Sequence, residues 1–160
     1  MSDITEPAIA WLAGFTDGEG CVSVNRPYGC PRPIFQLRNT HYQSMVRAHE
    51  LIQKIIGKEV RLVHETRARG QDNWRVHVTS QATLLDLASV VEPYSVTKRR
   101  HWQLAIAFLE LRMQHPVRGK GKTSFTDEEL SLADQLQALN RRWDPTYRSG
   151  TAEAPGTWVA

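Results

Sequence analysis

Residues 12–20 read Leu12-Ala13-Gly14-Phe15-Thr16-Asp17-Gly18-Glu19-Gly20. No other stretch constrains the fold as tightly. The run is apolar, rich in small residues, and ends in two acids separated by glycine. An ordinary helix closing on a glycine C-cap accounts for the glycines, because Gly18 or Gly20 can turn left-handed at no steric cost. It does not account for the acids. The macrodipole disfavours negative charge at a helix C-terminus. Something must offset Asp17 and Glu19, and a bound cation would. Ala10, Gly14 and Gly18 are spaced by four and line one helix face. Small side chains at that spacing let a second backbone come close. The run is too short to span a bilayer, which takes about 20 apolar residues.

The charge around this segment is uneven. No acid follows Glu19 until Glu50, and Arg26, Arg32, Arg38 and Arg47 fall in the gap. Residues 111–123 carry Arg112, Arg118, Lys120 and Lys122, again without an acid. The net charge of +3 is modest for a nucleic-acid binder, so the distribution carries the argument. Either basic run alone reads as a solvated face. Together, and beside the paired acids, they favour a surface for phosphates.

The chain has 160 residues and is 41% hydrophobic, enough for one domain with a real core. Thr5 or Asp3 caps a first helix, with Pro7 in its first turn, running through about Phe15. Residues 21–27 alternate as a half-buried strand, and 28–33 form a turn rich in breakers. A second strand covers 34–39. Gln43 to Ile56 is amphipathic and stops at Gly57. Residues 59–66 and 73–79 form a hairpin with Gly70 in its loop. Helices follow at 82–91 and 98–114, the second capped by Thr97. A last helix starts at 125–129, with acids in its first turn. The domain spans 1–143, and 144–160 reads as a loose tail. The fold class is α+β: αββαββα, a curved four-stranded antiparallel sheet backed by helices, plus a C-terminal helix. Such a sheet leaves one face open, and the DNA major groove admits a β-ribbon.

Side chains alternate along a strand. With Val22, Val24, Phe35, Leu37, Trp74, Val76 and Val78 inward, the open face receives Ser23, Asn25, Ile34, Gln36, Arg38, Asn73, Arg75, His77 and Thr79. Arg67 and Arg69 near the hairpin loop join it, as do Arg26 and Arg32. Arg, Asn and Gln are the side chains that pair bidentately with guanine and adenine edges. A face meant only for water normally carries Glu and Lys as well as Arg.

The segment Leu12-Ala13-Gly14-Phe15-Thr16-Asp17-Gly18-Glu19-Gly20 resembles the signature of the LAGLIDADG homing endonucleases. Gln36-Leu37-Arg38-Asn39, Pro93-Tyr94 followed by Lys98, and residues 134–140 resemble further stretches of the single-motif, homodimeric branch. The likeness covers roughly residues 7–142. It implies an intron-encoded nuclease that cuts both strands of a long, pseudo-palindromic DNA site. Mg2+ is the implied cofactor, with Mn2+ or Ca2+ as substitutes in crystals. The implied metal ligands are the Glu19 carboxylate and the Gly18 carbonyl; Glu19 stands where the family usually has Asp. Asn39 takes the water-positioning role, where better-known relatives carry glutamine, and Lys98 enters a basic pocket near the phosphate. Ala10, Ala13, Gly14 and Asp17 form the dimer interface. The implied partners are double-stranded DNA and a second copy of the chain, with no membrane and no small-molecule substrate.

One carboxylate cannot serve two scissile phosphates, so a single motif requires two chains. The rival readings are a non-cleaving DNA- or RNA-binding protein of the same fold, a maturase or transcription regulator, and a plain RNA-binding or structural module. Retention of Glu19 argues against the non-cleaving readings, because a pure binder has no use for a carboxylate facing phosphate. Cys21 and Cys30 form no CxxC pair, and the six histidines lack zinc-finger spacing. Reduced thiols and the lack of any signal-like segment suggest an intracellular protein, cytoplasmic or organellar.

Overall fold

The computed structural model describes residues 4–66, 70–115 and 125–141. Arg67, Arg69, Arg118, Lys120, Lys122 and the tail beyond 141 lie outside the described residues.

Helix α1 (Glu6–Glu19) starts after Thr5 with Pro7 in its first turn. It runs one turn further than its pattern suggests, straight through Gly14 and Gly18. Neither Gly18 nor Gly20 takes the left-handed conformation; among the described residues, the glycines with positive φ are Gly29, Gly57 and Gly70. Gly20 is needed for space instead. A Cβ there would sit 2.7 Å from the Thr16 carbonyl oxygen and 3.0 Å from the Phe35 ring. The missing side chain lets the helix pass directly into a strand pressed against its neighbour.

The strands are β1 (Gly20–Asn25), β2 (Arg32–Asn39), β3 (Leu62–Glu65) and β4 (Asn73–Val78). They form one antiparallel sheet in the order β1-β2-β4-β3. β3 is half its expected length, for a local reason. The His49 ring lies 2.6 Å from the Val60 carbonyl oxygen, and the Gln53 side chain accepts from the Val60 N–H. Both partners sit on α2 (Tyr42–Ile56), so the segment after Gly57 is bonded to that helix and joins the sheet late. The other helices are α3 (Gln81–Val91), α4 (Arg99–Gln114) and α5 (Asp127–Leu139).

The inner sheet face packs Val22, Phe35, Leu37, Val76 and Val78 against Leu12 of α1, Met45 and Ile52 of α2, Leu84 and Leu87 of α3, and Trp102 and Phe108 of α4. The Phe35 and Trp102 rings lie 5.2 Å apart at the centre. Full burial of one large apolar side chain stabilises by roughly 1.5–3 kcal/mol, so this layer carries the stability of the sheet. Helix α5 opens with a capping box: Thr126 Oγ1 accepts from the Glu129 N–H, and Glu129 accepts from the Thr126 N–H. Glu129 is fully buried and faces Arg112 at 3.5 Å. Arg112 also lies 4.1 Å over the Phe125 ring. Arg112 therefore ties α4 to α5 and leaves the basic surface run to which its spacing assigned it.

Helix α5 covers the outer edge of β1. Asn140, just past its end, donates to the Val22 carbonyl. Arg26, just past β1, donates to Gln137 and pairs with Asp134. An uncovered edge strand invites pairing with other chains, and such a cover prevents it.

Candidate functional site

The register builds the open sheet face row by row. Residues directly opposite in an antiparallel ladder point to the same side. Cys21, Gln36 and His77 form one row; Arg38, Arg75 and Val63 form the next; Asn73 and Glu65 form a third. Ser23 with Ile34 and Asn25 with Arg32 complete the β1 side. The alternation expected from the sequence for β1, β2 and β4 holds in this register, and β3 follows the same period.

Three of the expected base readers are not available as surface groups. Ile34 is only 7% exposed; it forms the floor of a hollow of about 540 Å³ rimmed by Asn25, Arg26 and Arg32. Asn73 is 5% exposed and bonded within the chain. It begins β4 opposite Glu65. Arg26 has its guanidinium committed to α5. Arg32, Arg38, Asn25 and His77 are exposed, and Ser23, Gln36 and Arg75 are partly so. His77 is held below the ordinary imidazole range, first by burial and then by the charges of Arg75 and Arg38.

The face also holds an acid, Glu65, at an outward position of β3. Glu65 Oε1 lies 3.0 Å from Arg75 Nε, and Oε2 lies 3.7 Å from Arg38 Nε. Extending the same alternation to β3 would have placed it there.

At the end of α1 the two acids part company. Asp17 accepts from the N–H groups of Val96 at 2.6 Å, Thr97 at 3.0 Å and Lys98 at 3.1 Å, and from the Ser95 hydroxyl. Three consecutive N–H groups form an anion-binding nest. Burial alone would raise the Asp17 pKa, but these hydrogen bonds outweigh it and hold the carboxyl below its usual 3.8. The charge that the helix dipole disfavours is thus met by the turn leading into α4. Thr97, expected to cap α4 by its side chain, gives its N–H to Asp17 instead. The Lys98 ammonium donates to the Asp17 carbonyl, so the only acid of the motif left without a partner is Glu19. It is exposed and makes no hydrogen bond or ion pair among the described residues.

Asn39 ends β2, and its Oδ1 accepts at 2.7 Å from the N–H of His41, the residue that caps α2. His101, one turn into α4, went unnoticed in the sequence. Burial lowers its pKa, and the Lys98 charge lowers it further; a backbone hydrogen bond at Leu139 and the Asp17 charge act the other way.

The small-residue stripe is open. Ala10, Gly14 and Gly18 are exposed, and a Cβ added at Gly14 or Gly18 would meet nothing within 4 Å. Ala13, expected on the same interface, is fully buried with Leu12 and Thr16. At 100° per residue it lies a little over a quarter-turn round the helix from Gly14, on the flank that the rest of the chain covers, so it belongs to the core. Asp17 is engaged inside its own chain.

Among the described residues, no group of three or more His, Cys, Asp or Glu side chains could cage a metal. The donors at the end of α1 are hard oxygens: the unpaired Glu19 carboxylate and the Gly18 carbonyl, which has no partner four residues on within the helix. That donor set suits a weakly chelated Mg2+ completed by waters and phosphate oxygens.

No family model matches the sequence, and no curated protein matches it. Solved structures do. The homing endonuclease I-CvuI, in complex with a DNA target in the presence of magnesium, has a TM-score of 0.60 at 20% identity, covering 85% of this chain and 83% of its own. The homing endonuclease I-TnaI has a TM-score of 0.56 at 17% identity, covering 92% and 95%. The LAGLIDADG meganuclease I-AabMI, bound to uncleaved DNA, has a TM-score of 0.55 at 19% identity; the match takes 81% of this chain but only 43% of that one. What is shared at such identities is the fold: five helices on a four-stranded antiparallel sheet, as in LAGLIDADG homing endonucleases. No described helix is long and apolar enough to cross a membrane.

Proposed function

We propose that this chain is a site-specific DNA endonuclease of the homing type, active as a homodimer. One observation carries the reading. Of the two acids that end α1, one is consumed by the nest before α4, while Glu19 stays exposed and unpaired beside an open stripe of small residues. A structural role explains Asp17 and leaves Glu19 without one. The matches to chains of similar length and to half of a longer one support a unit that works in pairs.

Paired through Ala10, Gly14 and Gly18, two helices bring two Glu19 carboxylates to a common axis. Each protomer offers the Glu19 carboxylate and Gly18 carbonyl as metal ligands. A Mg2+ held there would supply Lewis-acid stabilisation of the charge that develops on the phosphate and would make a bound water more acidic. Asn39 orients the attacking water. Lys98 moves from the Asp17 carbonyl to the scissile phosphate and balances its added charge. The sheet face presents Gln36, Arg38 and Arg75 to base edges, and Arg32 to phosphate or base.

The test is cleavage of a randomised duplex library with Mg2+. The wild type is expected to cut a defined site. Glu19→Gln is expected to abolish cutting while binding stays within about tenfold, since removing negative charge does not weaken contact with DNA. Multiple turnover by pure Glu19→Gln protein would refute the metal role, and a wild type that shifts DNA without nicking it would support the non-cleaving alternative.

A further inference from the structure

Glu65 is the only acid on the outward positions of the four described strands. A carboxylate facing a polyanion is repelled, so its presence needs a cause. Arg38 and Arg75 are directly opposite each other across β2 and β4. Like charges in that position destabilise a sheet. Glu65 touches both, at 3.0 Å from Arg75 Nε and 3.7 Å from Arg38 Nε. The Arg75 Nε is buried and meets Glu65 as an ion pair, without the alignment of a hydrogen bond. The contact is at the base of the guanidinium fork. Its far end, the two Nη groups, makes no hydrogen bond among the described residues, and a guanidinium end of this kind pairs with guanine O6 and N7.

We infer that Glu65 is a specificity-determining positioning residue, which holds Arg75 by its Nε, with Arg38 on the other carboxylate oxygen, so that Arg75 reads one base pair. This rests on the DNA-reading face proposed above. Without the carboxylate, a long flexible arginine swings to the nearest phosphate. That contact adds affinity for any sequence and information about none.

The experiment is selection of bound duplexes from a randomised library by the full chain, comparing wild type, Glu65→Gln, Glu65→Asp, Arg75→Gln and the Glu65→Gln/Arg75→Gln double variant. Thermal unfolding of each protein is followed alongside. Arg75→Gln defines the base pairs that Arg75 reads. At those pairs Glu65→Gln is expected to lose about tenfold in discrimination, while affinity for random DNA rises and its salt dependence steepens. Glu65→Asp, which keeps the charge, is expected to retain most of the preference. In the double variant, Glu65→Gln should cost nothing further at those pairs, because the two residues act as one unit. Unchanged preference in Glu65→Gln, or full additivity in the double variant, overturns the inference. So does equal loss of melting temperature and preference in Glu65→Gln and Glu65→Asp. A wild type that selects no consensus at all defeats the DNA-reading function itself, and the inference falls with it.

Discussion

Two residues apart in sequence, Asp17 and Glu19 divide structure from chemistry. Asp17 is fixed by three N–H groups and a hydroxyl, and it joins the end of α1 to the start of α4. Asp17→Ala leaves that nest empty and is expected to cost about 0.5–2 kcal/mol, the range for a lost helix-cap acceptor; urea unfolding measures it. The pH dependence has a definite sign. The folded pKa lies below the unfolded value of 3.8, so the stabilisation is present above that pH and is lost as pH falls through the lower, folded value. Asp17→Asn, with no charge to titrate, should flatten this part of the acid limb. An Asp17→Asn protein whose stability falls with pH as steeply as wild type would place the acid sensitivity elsewhere.

At the scale of elements, α1 has two faces with opposite requirements. Leu12, Ala13 and Thr16 are buried against the sheet and helices, while Ala10, Gly14 and Gly18 face outward. Open space around Gly14 makes a clean test possible. Gly14→Glu should leave the protomer as stable as before or slightly more so, since glycine is a poorer helix former by about 1 kcal/mol. It should nonetheless yield monomers that do not cut. Sedimentation at working concentration decides this: a dimeric Gly14→Glu protein, or a monomeric wild type that cuts both strands, would remove the stripe from the interface. The same division of labour recurs at α5, which covers the β1 edge and takes Arg26 and Arg112 out of the basic surface.

For the whole molecule, the proposed dimer presents two identical sheet faces about a twofold axis. Its preferred DNA should be roughly palindromic, with about 10 base pairs, one helical turn, under each face. Departures from symmetry should be tolerated where contacts are few, because a mismatch costs only about 1–3 kcal/mol. Sequencing of sites cleaved from a random library checks this. A consensus without a dyad, or one shorter than a single half-site, would contradict either the dimer or the reading of DNA by the sheet.

The order of elements, the inward and outward sides of β1, β2 and β4, and the position of Glu19 at a helix end were all legible in the chain. Each depends on neighbours close in sequence: a period of two along a strand, a period near 3.6 along a helix, and local stop signals. What only the tertiary structure decided involves residues far apart along the chain. The partner of Asp17 lies some 80 residues away, and the offset to its charge that suggested a cation turned out to be a backbone nest. Arg26 and Arg112 are captured by α5, Glu65 meets Arg38 across the sheet, and Ala13 and Asn73 are buried by elements that no local pattern locates. Periodicity tells which way a side chain points, but exposure and charge pairing depend on what the rest of the chain brings to that side.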